Sequence, residues 1–359
     1  MGWLCRSSFA LSLAVATPPS LAAQVVAGQV VDEATAAPVG EGFVVLLDGQ
    51  GREVARTLTG ADGRFSLTAP RPGGYRLRSE RIGYVAFVAP PFTLDDGQTL
   101  THPLRVTALP VQLTAVAVTG RTTCRVSPER AEATAAVWEE VRKALAASVW
   151  TERQSTYRYR TVMFDRDWDA GRNRIREQVS DTLLGHAQAP FVSVPAASLA
   201  GRGYIVAEAE SIAYYAPDAG VIQDSSFLVS HCFGLVRRAL DGVQQVGLSF
   251  QPVPERRLPD VRGVLWLDEG TAELRALEFS YTRVPDGVTD ERIGGAVGFL
   301  RLPAGSWIVR RWELRMPRLA AEASTSGYAP ARVRVRGFRD RGGEVLEIHA
   351  LDGRRVYPP

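Results

Sequence analysis

The chain has few of the residues from which common catalytic centres are built. It contains four histidines and three cysteines among 359 residues. The histidines are His102, His186, His231 and His349. No two of them are close in sequence and none has a glutamate three positions later, so the HEXXH and HXXE patterns of zinc peptidases are absent. Phosphate-binding loops and G-x-S-x-G nucleophile elbows are absent as well. We therefore predict a protein that is not an enzyme and that needs no metal and no cofactor.

Long apolar runs are also missing. The first 23 residues carry one charge, Arg6, then a short apolar stretch and the small-residue ending "SLAA". The apolar stretch is far shorter than the roughly 20 residues that span a bilayer. This pattern predicts a signal peptide over residues 1–23, cut after Ala22 or Ala23. We expect an exported protein: periplasmic, outer-membrane-associated or secreted.

A strong charge of either sign is lacking too. Without Arg6 the mature chain has 41 basic and 39 acidic residues, a net charge of +2. A balance this close to neutral gives no reason to expect a nucleic-acid partner. The hydrophobic content of 45% excludes a largely disordered chain.

Only two cysteines, Cys124 and Cys232, remain after the signal peptide. In an oxidising compartment such a pair is more often a disulfide than a reactive site, although two separate buried thiols are the alternative. The loop of about 108 residues would stabilise the fold by roughly 4 kcal/mol in the chain-entropy treatment. Because neighbouring strand residues point to opposite faces, the adjacent His231 cannot activate Cys232. We expect His231 to be a bystander at the strand surface.

Residues 24–118 have the rhythm of a β-sandwich. Short apolar segments alternate with the turns "DGQG", "GADG" and "RPGG". The turns recur at a spacing that favours antiparallel strands over βαβ units. Asp62 and Gly63 supply the positive φ of a tight hairpin.

Four motifs in this region carry a family resemblance. They are "GQVVDEATAAPV", "VVLLD", "TGADGRFSL" and "PGGYRLRSERIGY". In this order they resemble the regulatory-like domain of carboxypeptidases, a prealbumin-like fold of the class that includes carbohydrate-binding modules. The resemblance implies a β-sandwich over 24–118 with a carbohydrate or a cell-envelope protein as its partner. It implies the accessory fold alone, because the peptidase motif is absent.

A helix follows a linker, together over residues 119–150. Ser127 is a suitable N-cap and Pro128 a suitable first helical residue. The apolar stripe is Val137, Trp138, Val141, Leu145 and Val149. Its helical spacing predicts an amphipathic helix of about 20 residues whose stripe belongs to the core.

The pattern of residues 151–359 predicts a series of consecutive β-strands. The short turns "DEGTAE" and "RLPAGSW" each predict a hairpin, and short connections force antiparallel pairing. We predict a mainly β chain: a sandwich, one amphipathic helix and a large curved antiparallel sheet in an α+β arrangement. The hairpin "GVLWLDEGTAELRALEFSY" resembles periplasmic lipoprotein carriers, whose half-barrel wraps a helix.

Three groups of side chains in this sheet are candidates for binding. The aromatic residues are Trp266, Phe279, Tyr281, Trp307 and Trp312, which either fill the core or line a groove for an apolar or sugar ligand. Asp165, Asp167 and Asp169 have the spacing of calcium ligands without the glycine and glutamate of an EF-hand, so we expect a solvated hairpin tip. The basic residues are Arg332, Arg334 and Arg336, which share one strand face; this predicts a solvated face or a contact with lipid headgroups or glycan phosphates.

Together these observations predict a non-catalytic exported binding or adaptor protein of the cell envelope. Its sandwich would bind carbohydrate or an envelope protein. The alternative is a carrier of a lipid or another apolar ligand in the C-terminal half-barrel. An enzyme of a type without a recognisable motif is the third possibility.

Overall fold

The structure is a computed structural model, and it describes residues 24–108, 124, 128–171, 174–186, 193–208, 212–284, 293–322 and 332–358. The predicted signal peptide, the predicted N-cap Ser127 and the predicted boundary at residue 118 lie outside the described residues. Those predictions remain untested.

The N-terminal region is a β-sandwich of two sheets. Its strands are β1 Gln24–Asp32, β2 Phe43–Asp48, β3 Glu53–Leu58, β4 Arg64–Ala69, β5 Gly73–Glu80, β6 Phe87–Val88, β7 Phe92–Leu94, β8 Thr99–Thr101 and β9 Leu104–Val106. One sheet has the order β4–β1–β8, with β9 also paired to β1. The other has the order β3–β2–β5–β6, with β7 also paired to β5.

Alternating side chains build the sandwich core. In β4, Phe65 and Leu67 are buried while their neighbours are exposed. The hairpin before β4 depends on Gly63, which has φ +74° and no room for a side chain, because a Cβ would lie 2.5 Å from the carbonyl oxygen of Val30. Strand β2 is buried on both faces. Val44 belongs to the sandwich core, whereas Phe43 belongs to a second core outside it.

The C-terminal region is dominated by one ten-stranded antiparallel sheet. Its strands are β10 Tyr157–Asp169, β11 Ile175–His186, β14 His231–Leu240, β15 Val243–Pro252, β16 Asp260–Asp268, β17 Leu274–Thr282, β18 Gly294–Arg301, β19 Trp307–Glu322, β20 Arg332–Ala350 and β21 Arg355–Tyr357. Strands β14 to β20 form a meander, and the β10–β11 hairpin extends it beyond β20. Both hairpins predicted from "DEGTAE" and "RLPAGSW" are present, as β16–β17 and β18–β19.

Smaller elements lie between β11 and β14. They are α2 Ala196–Arg202, β12 Ile205–Ala207, β13 Ile212–Tyr214, α3 Ala219–Gln223 and α4 Ser225–Ser230. Strands β12 and β13 pair as a separate two-stranded sheet.

One long helix, α1 Pro128–Gln154, lies between the sandwich and the large sheet. Its stripe residues Val137, Val141 and Leu145 are fully buried in the core that they share with the large sheet. Its other side meets the sandwich, where Trp150 packs edge-on against Phe43 with ring centroids 5.5 Å apart. The predicted fold class is therefore confirmed: a mainly β chain with a sandwich, a core-forming helix and a large antiparallel sheet.

The predicted disulfide between Cys124 and Cys232 is present, with Cα atoms 5.0 Å apart. It joins the approach to α1 to the start of β14, 108 residues later. The bridge therefore links the helix to the edge strand of the large sheet.

Candidate functional site

A cavity of about 240 Å³ lies where the C-terminal half of α1 crosses the large sheet. Three parts of the chain form it: the last turns of α1, helix α3 with the segment that leads into it, and strands β17 to β19. Its lining includes Ser148, Glu152, Asp218, Leu277, Val297 and Phe299.

The sheet side of the cavity is apolar. Leu277 on β17 is the register partner of Val297 on β18, so the two side chains share one sheet face. Phe299 on β18 is likewise the partner of Val309 on β19. All four line the cavity, and none can donate or accept a side-chain hydrogen bond.

The helix side of the cavity carries polar groups at helical spacing. Ser148 and Glu152 are four residues apart on α1, so their side chains lie on the same helix face. Ser148 is 0% exposed, and its Oγ has no hydrogen-bond partner. Thr151, on the same helix, behaves in the usual way and donates to the Ala147 carbonyl at 2.9 Å. A buried hydroxyl without a partner is costly, so Ser148 is a group that a ligand can satisfy.

A second carboxylate faces Glu152 from the segment before α3. Asp218 caps α3: its Oδ1 accepts a hydrogen bond from Val221 N at 2.8 Å, and its Oδ2 accepts one from Ser193 N at 2.9 Å. Burial and the charge of Asp218 raise the pKa of Glu152 to about 7, although Arg153 opposes the shift. In the described part of the chain, no ion pair or side-chain hydrogen bond satisfies the Glu152 carboxylate.

The arrangement is therefore an apolar chamber with a polar, acidic end. An apolar chamber with a few polar groups at one end is the usual form of a small-molecule binding site. The combination of an unpartnered hydroxyl and a carboxyl that titrates near neutral pH marks the place where a polar ligand group would sit.

A larger and more open groove, of about 580 Å³, lies along strands β14 to β19. Its polar lining residues are Ser249, Gln251, Arg262, Glu278, Ser280 and Arg315. The Arg262 guanidinium donates to Ser280 Oγ at 3.2 Å, and Arg315 is paired with Glu313 at 2.5 Å. The groove is open, and the charge of Arg315 is already paired within its own strand.

The predicted ligand-lining aromatics do not share one groove. Phe279, Tyr281 and Trp307 are buried in the core that contains α1, and Trp312 packs against the same core. Trp266 instead packs beneath the Arg238 guanidinium, 3.9 Å from the ring centroid, and donates to Glu278 at 3.1 Å. Phe279 reaches the open groove, and none of the five lines the α1 cavity.

The expectation that His231 lies at the strand surface was wrong. His231 is only 5% exposed, with Nδ1 3.0 Å from the Phe227 carbonyl and Nε2 3.2 Å from the Val261 carbonyl. The fully buried Asp260 lies 3.3 Å from Nε2. The reason is that α4 runs directly into β14, so the Phe227 ring stacks on the imidazole with centroids 3.9 Å apart. The imidazole bonds to these groups, and the neighbouring Cys232 sulfur is held in the disulfide.

The expectation of a solvated carboxylate tip was wrong for Asp165 and Asp167, whereas Asp169 ends β10 and accepts a hydrogen bond from Arg174 N at 3.0 Å across the turn to β11. Asp165 and Asp167 lie within β10, and Asp167 is only 6% exposed. Arg339 on the neighbouring β20 donates to Asp167 at 2.8 Å, which holds the pKa of Asp167 below its usual range. These carboxylates form cross-strand ion pairs because β10 continues beyond the point where the pattern suggested a turn.

In the basic segment of β20, Arg334 and Arg336 are exposed and Val335 packs against the core, as a solvated face requires. The Arg332 side chain lies outside the described part of the chain.

The sequence patterns did not identify Ser148, Glu152 and Asp218 as site residues, although a signal was present. The stripe Val141, Leu145 continues at helical spacing to Ser148 and Glu152, which are polar residues at positions where core residues are expected. A polar interruption of an apolar stripe indicates a place where a cavity or a partner faces the helix.

In the described ranges, no group of three or more His, Cys, Asp or Glu residues could hold a metal ion. The same ranges contain no helix that is both long and apolar enough to cross a membrane.

Residues 25–107 match the family model of the carboxypeptidase regulatory-like domain. The predicted resemblance is thereby confirmed for the sandwich, which makes up 83 of the 359 residues. No sequence among the curated proteins matches the chain.

Solved structures with some similarity have low identity and low TM-scores. A pilus 2b backbone protein of group B streptococcus is 18% identical, with a TM-score of 0.20, over 24% of this chain and 41% of that one. This chain thus spans about two fifths of the length of that protein. A DUF1329 family protein from Desulfovibrio piger is 11% identical, with a TM-score of 0.26, over 60% of this chain and 94% of the other. A DUF3823 family protein from Bacteroides uniformis is 14% identical, with a TM-score of 0.20, over 73% and 100%. TM-scores this low do not establish a common fold.

Proposed function

We propose that this chain is an exported binding protein that holds a small, largely apolar ligand in the cavity between α1 and the large sheet. One observation carries the proposal: the fully buried Ser148 hydroxyl, which has no partner, lines a cavity whose opposite wall is apolar. The apolar wall would supply the affinity, and the polar end would fix the orientation of the ligand.

The cavity volume limits the size of the ligand. An apolar cavity of about 150 Å³ holds benzene, which has six non-hydrogen atoms. By the same proportion, a cavity of about 240 Å³ accepts about ten non-hydrogen atoms. A long-chain phospholipid does not fit inside this space, so the ligand is a small molecule or one short chain of a larger one.

Two further features belong to the proposal. Export follows from the predicted signal peptide, and determination of the mature N-terminus should find Ala23 or Gln24 there. The sandwich is proposed to connect this binding domain to a carbohydrate or protein of the envelope, as its family resemblance implies. The domain division at residues 118 and 150 is part of the same proposal.

The direct test is a calorimetric titration of the purified mature protein with 1-octanol. We expect saturable one-site binding to the native protein. Val297→Phe should abolish it, because the larger side chain fills the cavity from the sheet side. Ala296→Val is the matched control, because Ala296 lies next in β18, lines the open groove instead and should leave binding unchanged. Binding that survives Val297→Phe, or no binding by the native protein, would reject the proposal.

A further inference from the structure

Resting on the proposed function, we infer that the natural ligand carries a protonated amine beside its apolar part, and that the Glu152 carboxylate binds this amine. Three features of the polar end favour an amine: its charge balance, its unused acceptors and its position against the apolar wall.

The charge balance of the polar end is negative. The charged groups that line the cavity are Glu152 and Arg153 on α1 and Asp218 before α3. The strands that complete the cavity contribute Leu277, Val297, Phe299 and Val309 and therefore no charge. Two carboxylates face one guanidinium, so a single cation completes the balance in a partly desolvated site.

The unused hydrogen-bonding capacity also fits an ammonium group. Asp218 already accepts bonds from Val221 N and Ser193 N, whereas the Glu152 carboxylate and the Ser148 hydroxyl have acceptors to spare. An ammonium group has three donors and no acceptor. Glu152 can therefore take a charge-assisted bond, and Ser148, one helical turn deeper, can accept a second.

Other headgroups fit less well. A carboxylate or phosphate would bring a like charge next to Glu152 and Asp218. An alcohol could satisfy Ser148, but it would leave an ionised Glu152 without a counter-charge, which is the costly state of a buried group. A quaternary ammonium would neutralise the charge but could donate no hydrogen bond to either group.

The pH dependence of amine binding gives an independent signature. In the empty site, burial raises the pKa of Glu152 to about 7, so the carboxyl is mostly protonated at pH 5.5. An alkyl amine with a pKa near that of lysine, about 10.4, stays protonated throughout this range. Amine binding must then displace the carboxyl proton at low pH, so affinity should fall about 30-fold from pH 8 to pH 5.5.

The experiment compares three probes of equal chain length: 1-octylamine, 1-octanol and octanoate. Each is titrated by calorimetry at pH 8 and pH 5.5 into the full mature protein. The native protein should bind 1-octylamine at least 10-fold more tightly than 1-octanol at pH 8, and octanoate most weakly. Glu152→Gln should remove this preference and its pH dependence, so that the variant binds 1-octylamine no more tightly than 1-octanol. Glu132→Gln is the matched control, an exposed acid on the same helix.

The outcomes separate the two ideas. If the native protein binds 1-octanol as tightly as 1-octylamine at pH 8, or prefers octanoate, the amine inference is wrong and the apolar cavity stands. A preference for the amine that persists in Glu152→Gln also overturns the inference. If none of the three probes binds, the proposed function fails and the inference fails with it.

Discussion

The Lys143 ammonium lies 2.7 Å from the Glu140 carboxylate, and the two side chains are only 5% and 2% exposed. Lys143 is the single lysine of the chain. It also donates to the carbonyl of Tyr84 at 2.8 Å, while Glu140 accepts a hydrogen bond from Gly83 N at 2.9 Å. The pair therefore connects α1 to the turn that follows β5 of the sandwich.

Removal of one member of this pair should be strongly destabilising. Glu140→Ala leaves a buried ammonium and a buried amide without their main partner, so we expect a loss of about 3–5 kcal/mol in the free energy of unfolding. Lys143→Ala should cost a similar amount. Urea denaturation followed by tryptophan fluorescence measures both losses.

Two controls identify the cause. Glu139→Ala removes a half-exposed carboxylate paired with Arg142, and should cost no more than about 1 kcal/mol. The double variant Glu140→Leu, Lys143→Met removes both charges and should be much more stable than either single variant. Because Lys143 is the only lysine, acetic anhydride should leave it unmodified in the native protein; rapid modification would show that the sandwich does not cover it.

Two glycines of β18 differ in the space that surrounds them. A Cβ on Gly295 would lie 2.6 Å from the Glu313 carbonyl oxygen and 2.7 Å from the Phe279 ring, whereas one on Gly298 would meet nothing nearer than 3.8 Å. Gly295→Ala should therefore destabilise the protein by about 2 kcal/mol, since backbone and core ring must both move. Gly298→Ala should change stability by no more than about 0.5 kcal/mol.

Thermal unfolding of both variants beside the native protein tests this register. Equal stability of the two variants would contradict the pairing of β18 with β19, in which Gly295 is the partner of Leu314 and lies beside the Glu313 carbonyl. The contrast is also a local probe of the sheet that carries the cavity, because Phe279 belongs to the core under α1.

The fold was predictable because its signals are local. Turns such as Asp62–Gly63 and the "DEGTAE" hairpin specify antiparallel pairing from a few neighbouring residues. The helical period of Val137, Val141 and Leu145 likewise specifies one buried face of α1 from the sequence alone. The two cysteines left no other partner within the mature chain.

The candidate site was not predictable in the same way. Ser148 and Glu152 can be placed on a helix from the sequence, but what faces them depends on Asp218, 66 residues beyond Glu152, and on strands β17 to β19. The burial of His231 depends in the same way on Phe227, whose short helix has no distinct period. Local patterns identify which residues lie on one face, whereas burial is decided by the element that packs on that face.

The raised pKa of Glu152 makes the stability of the empty protein depend on pH. Below pH 4.5 the carboxyl is protonated in both the folded and the unfolded states and has no effect on stability. Between pH 4.5 and about 7 the unfolded state loses this proton while the folded state retains it, so rising pH favours unfolding. Above about pH 7 the carboxyl is ionised in both states, and the stability of the folded protein no longer falls with rising pH.

Glu152→Gln removes the titrating group and should therefore gain stability relative to the native protein as the pH rises. We expect a difference in the free energy of unfolding near zero at pH 4.5 and about 2 kcal/mol at pH 8, after allowance for solvent screening at the cavity mouth. Urea denaturation of both proteins at half-unit pH steps measures it, and Glu132→Gln should show no such trend. A difference that is constant with pH would mean that Glu152 is as well solvated in the folded protein as in the unfolded chain. The acidic end of the cavity would then lack the burial on which amine recognition depends.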